Sequence, residues 1–79
     1  MIVYPSPLTG NQLLNIEVNN DKINTVEIFD VVGKRLKYVN WSTSNLKLQL
    51  DITDISPGIY HIKVETESKV KFNSTVIKL

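Results

Sequence analysis

Residues 46–52 read Leu-Lys-Leu-Gln-Leu-Asp-Ile, so four aliphatic side chains alternate with three polar ones. That is the period of a half-buried strand; a helix would scatter the seven around its axis. Residues 59–65 repeat the pattern, with Tyr60, Ile62 and Val64 facing one way and His61, Lys63 and Glu65 the other. Residues 12–18 alternate through Leu14, Ile16 and Val18. Residues 24–30 are rich in β-branched and aromatic types (Thr25, Val26, Ile28, Phe29), which favour strands. Residues 34–41 place Leu36 and Tyr38 on one face and Val39 and Trp41 on the other. In residues 69–79, Val70, Phe72 and Val76 are in phase while Ile77 and Leu79 are not, which predicts a bulge at Asn73-Ser74 that swaps the face. A short strand at residues 2–4 makes seven.

The punctuation agrees. Pro5-Ser6-Pro7-Leu8-Thr9-Gly10 is an irregular segment, because proline lacks a donor and fixes φ. Residues 19–22 form a turn and residues 42–45 a polar loop. Residues 30–34 make a short hairpin loop with Gly33 at a positive-φ position. Ser56-Pro57-Gly58 suits a type II turn, with proline second and a positive-φ glycine third. Glu67-Ser68 closes the final hairpin. No stretch of ten residues carries a helical stripe. Seven short strands at this spacing predict an all-β, immunoglobulin-like sandwich, and clean alternation means that each strand needs only one covered face.

Composition narrows what such a sandwich does. At 79 residues the chain is one small domain with a thin core, burying about 60–65% of its unfolded surface. It has no cysteine, so neither disulfides nor thiolate metal sites reinforce it. Nine basic residues meet eight acidic ones, and both halves are balanced, so no basic patch marks a nucleic-acid partner. The longest apolar runs are far too short to span a membrane, and Met1-Ile2-Val3-Tyr4-Pro5 is no signal peptide. The chain reads as a piece of a longer protein, with Met1 an added start residue.

No catalytic constellation emerges. His61, the single histidine, lies on the polar face of a strand with no nucleophile or orienting acid in any motif around it, and reads as an exposed strand histidine. No metal or other cofactor is expected. Asp51 and Asp54 suit backbone donors in the turn before Pro57; calcium is the second reading of that pair, though it takes six or more oxygens. Asn40-Trp41-Ser42 and Asn73-Ser74-Thr75 match the glycosylation pattern, which matters only in a glycosylating pathway. Trp41 and Tyr38 read as packing in or beside the core; a sugar-stacking platform is the alternative. From residues alone the chain is a binding or structural β-sandwich and not an enzyme.

Three stretches add a resemblance. They are Val3-Tyr4-Pro5-Ser6-Pro7-Leu8-Thr9-Gly10, then Val26-Glu27-Ile28-Phe29-Asp30-Val31-Val32-Gly33-Lys34, then Leu50 through Asp51, Ile52, Pro57, Gly58 and Tyr60 to Val64. In this order, with a last strand ending Val76-Ile77-Lys78-Leu79, they resemble the type A C-terminal sorting domains of the type IX (Por) secretion pathway. Ser6 stands where that family usually has asparagine, and Pro57 where a small polar residue is commoner; residues 38–46 match no family motif.

The resemblance implies that residues 1–79 are one sorting domain at the carboxyl end of a secreted or cell-surface precursor. Such a precursor crosses the periplasm. The domain, joined covalently to an N-terminal cargo, is recognised by the outer-membrane translocon and removed by a sortase-like peptidase. It is not itself inserted in the membrane. Candidate signal residues are the motif positions Tyr4, Pro5, Pro7, Gly10 and Gly33, and above all the last two strands and the turn before them: Gly58, Tyr60, Lys63, Lys69, Lys71 and Lys78. Each has a structural reading beside the functional one, glycine and tyrosine for turn geometry and packing, lysine for solvating a face or blunting an edge. The rival function is a carbohydrate-binding or fibronectin-like spacer module of a secreted multidomain protein.

Overall fold

A computed structural model describes the backbone of residues 1–79 and the side chains of residues 1–40 and 46–79. Seven strands follow one another: β1 (Ile2–Tyr4), β2 (Leu14–Glu17), β3 (Ile23–Phe29), β4 (Arg35–Asn45), β5 (Lys47–Leu50), β6 (Gly58–Thr66) and β7 (Lys71–Lys78). They form two antiparallel sheets, β1-β2-β5 and β4-β3-β6-β7. This is an immunoglobulin-like sandwich whose fourth strand joins the β3-β6-β7 sheet rather than its opposite.

The alternating positions meet between the sheets. Leu14, Ile16 and Leu48 face Val26, Ile28, Ile62, Val64 and Val76, all essentially buried. Leu8, Ile52 and Ile55 cap this layer from the loops, so the connections contribute core as well as the strands. Ile23 and Val26, three apart, both point inward because the register shifts between Ile23 and Thr25.

Four expectations are corrected. β7 pairs with β6 in continuous register from Glu65↔Lys71 to Gly58↔Lys78, so there is no bulge at Asn73-Ser74. Strict alternation instead leaves Ile77 and Leu79 exposed and turns Lys78 inward. Gly58 does not have positive φ; it already pairs in β6, and the type II turn is absent. β4 runs on to Asn45 where a polar loop was expected, and the chain passes from one sheet to the other at Leu46, which is exposed rather than buried. Tyr38 is 49% exposed with the Arg35 guanidinium 5.1 Å from its ring centroid, so it lies outside the core. The Trp41 side chain lies outside the described residues.

Candidate functional site

One end of the sandwich gathers three connections. The residues 5–13 segment leaves β1, the residues 51–57 loop joins β5 to β6, and the 30–34 turn joins β3 to β4. Residues 78–79 tie two of them together. Leu8 N–H donates to the Ile77 carbonyl at 2.7 Å and Leu79 N–H to the Leu8 carbonyl at 2.9 Å, a parallel bridge at the β7 end. The Lys78 ammonium, on a residue only 8% exposed, donates to the Ile52 carbonyl at 2.6 Å and to that of Ile55.

The 51–57 loop is shaped from within as well. The Asp51 carboxylate accepts from Thr53 N–H at 2.9 Å and the Thr53 hydroxyl at 2.8 Å, and Ile55 N–H closes a turn on the Ile52 carbonyl at 3.1 Å. Tyr60, 6% exposed, donates its hydroxyl back to the Ser56 carbonyl. A buried tyrosine bonded to backbone just upstream of the sixth strand has the arrangement of a tyrosine corner. Beside it lies an open cleft of about 380 Å³ lined by Asp30, Leu36, Asp54, Ile55, Ser56 and Tyr60.

The Pro5–Gly10 segment and Gly33 serve this end. Both prolines follow cis peptides. Gly10 takes φ +59 inside a turn closed by Gln12 N–H on the Thr9 carbonyl. Gly33, at φ +87, completes the hairpin in which Asp30 accepts from Val32 N–H and Lys34 N–H. Gly33 thus holds the conformation expected of it.

The remaining candidates lie elsewhere. The Tyr4 hydroxyl donates to the Glu17 carboxylate, and its ring lies 5.9 Å from the Lys47 ammonium. Lys63 is half-buried on the outer face of the four-stranded sheet, where its backbone pairs with Glu27 and Asn73. Lys69 and Lys71 are exposed at the opposite end, around the turn in which Glu67 N–H reaches the Lys22 carbonyl. The lysines therefore do not form one surface, and Lys78 is on none. Sequence reasoning missed Leu8 and Ile55, and saw in Ile52 only the last aliphatic of an alternating strand. Leu8 could have been flagged as an isolated aliphatic beside turn residues, but the carbonyl contacts of all three leave no trace in residue type.

Three carboxyls are held below the usual range by the bonds they accept. For Asp51 the cause is Thr53, backbone first; for Asp54 it is the Lys37 ammonium at 3.0 Å; for Asp21 it is the Ser68 hydroxyl, then Thr66. Asp51 and Asp54 are engaged separately, and among the described residues no cluster of three or more histidine, cysteine or acidic side chains could hold a metal ion. His61 is exposed, with its Nδ1 3.4 Å from the Thr75 hydroxyl. The arrangement offers a shaped surface of loops.

A family model described as the secretion system C-terminal sorting domain matches residues 2–78. No curated protein matches the chain. Among the described residues no helix is long and apolar enough to cross a membrane.

Proposed function

We propose a role for this chain from its kinship: it belongs to the family of secretion system C-terminal sorting domains. It is a sorting signal for type IX secretion, which implies attachment to a cargo, recognition by the secretion machinery, and a secreted or cell-surface precursor. The match over residues 2–78 carries this conclusion.

The finer reading is ours. The cargo is joined on the Met1 side, and the outer-membrane translocon reads the folded sandwich. Met1 lies beside Glu17, Val18 and Asn19, at the end away from Gly58 and Lys78. The end carrying the 51–57 loop, Gly58 and Tyr60 is thus the one a cargo on that side leaves uncovered, and surface loops are where recognition commonly falls. A sortase-like peptidase then cuts before or around Ile2, so that the domain is a substrate.

The test is a fluorescent reporter carrying a periplasmic signal and residues 2–79 at its carboxyl end. It is expressed in a cell with type IX machinery and in a translocon-deficient sister. Surface or medium signal in the competent cell alone, with loss of a 9.0 kDa piece, is the expected outcome. Reporter held in the periplasm of both cells overturns the sorting role. Export without the mass loss overturns the peptidase step only.

A further inference from the structure

We propose that Lys78 is a positioning residue of the sorting signal: the machinery does not touch it, but it holds the 51–57 loop in the shape that the machinery reads. This rests on the sorting role above. Lysine seldom enters a core, since an ammonium loses its hydration there unless other groups replace it. On the inward face of β7, two places beyond Val76, an aliphatic side chain would satisfy the packing alone. What lysine adds is reach and donors. Its ammonium bonds the Ile52 and Ile55 carbonyls, and among the described residues no carboxylate lies within ion-pair distance of it.

Those two carbonyls fix the loop at both sides of its Ile52–Ile55 turn, while the Tyr60 hydroxyl fixes Ser56. Without the ammonium, the Ile52 and Ile55 carbonyls lose that donor, and what still ties the loop is its internal Asp51 and Ile55–Ile52 bonds, the Tyr60–Ser56 bond and the Lys37–Asp54 pair, which is largely solvated and weak. The backbone on either side of Lys78 is meanwhile bonded to Leu8. Lys78 therefore couples the β7 end to both neighbouring connections, and a local opening that frees it releases the loop first. Lys63, Lys69 and Lys71, exposed or half-exposed, are free of any such duty.

The experiment pairs amide hydrogen exchange of the 79-residue chain with export of the reporter. K78M is expected to accelerate exchange of the Thr53 and Ile55 amides about tenfold or more, to leave the amides of Val26, Ile28, Ile62 and Val64 near parent rates, and to cut export by a similar factor. K78A should regain loop protection on addition of n-propylammonium, whose three carbons and nitrogen match the atoms removed and restore a donor to the vacated place. V64A, which weakens the core away from the loop, controls for stability and should still be exported. Parent-like loop protection or parent-like export in K78M overturns the proposal. So does equal acceleration in loop and core, or equal loss of export in V64A, for then Lys78 is a general stabiliser. Failure of the parent reporter to leave the periplasm sinks the sorting role instead, and the exchange arm still decides whether Lys78 holds the loop.

Discussion

A methyl group placed on Gly58 would lie 3.4 Å from the Tyr60 hydroxyl oxygen, in ordinary contact with the ring edge. Gly58 pairs with Lys78 as a strand residue and lacks positive φ, so alanine fits both the space and the backbone. Gly58→Ala should stay within about 0.5 kcal/mol of the parent, helped by a less flexible unfolded chain. Gly33, at φ +87, has open space around it but a backbone that alanine resists. Gly33→Ala should cost about 1 kcal/mol or more. Urea melts of the two variants decide it: equal losses would mean that the two glycines share one conformational role.

The Tyr60 hydroxyl supplies the Ser56 carbonyl with a donor while the ring stays in the core. Tyr60→Phe keeps the ring and removes the donor, so it should cost about 1–2 kcal/mol, the worth of a bond whose acceptor is left short of a partner. Unchanged stability in denaturant would mean that water serves Ser56 equally well.

The sandwich was legible because alternation is a direct consequence of a pleated strand covered on one face, and β5 and β6 obey it cleanly. Tyr60, Ile62 and Val64 point inward as their phase requires. The bulge assigned to β7 failed for a physical reason. Phase was judged by hydrophobicity, and Lys78 occupies an inward position that Ile77 and Leu79 were expected to fill from a swapped face. A lysine whose ammonium is satisfied by backbone carbonyls looks, in sequence, like any solvated lysine. Gly58 misled in the same way: Pro-Gly chemistry fits a type II turn, but the pairing with Lys78 extends the strand over it. Proximity of the residues 5–10 and 76–79 segments depends on a tertiary bridge at Leu8, which no local pattern encodes.

Lys69 takes φ +70 in the turn between β6 and β7, where its N–H donates to the Thr66 carbonyl at 3.0 Å. A side chain in this left-handed region meets its own backbone, and glycine does not. Lys69→Gly should therefore stabilise the chain by about 0.5–1 kcal/mol, part of the relief being offset by a freer unfolded state. A thermal melt at or below the parent's would show that Lys69 sits there without strain.

Acid should weaken the fold through Asp21, Asp51 and Asp54. Each accepts hydrogen bonds that favour its ionised form, so each carboxyl binds a proton less readily in the folded chain than in the unfolded one. Where the unfolded state binds more protons, stability rises with pH. The contribution is therefore fully present above the ordinary aspartate value of about 4 and is lost as pH falls through the lower folded values. Melting temperature should be level from about pH 7 to 5 and decline steadily below about pH 4. Added salt separates the causes. It screens the exposed Lys37–Asp54 pair but leaves the bonds from Thr53 to Asp51 in place, so Asp54→Asn should flatten the acid decline at low salt more than at high salt. Asp51→Asn should flatten it at both. A melting temperature indifferent to pH down to about 3 would mean that these carboxylates are as free in the folded chain as in the unfolded one.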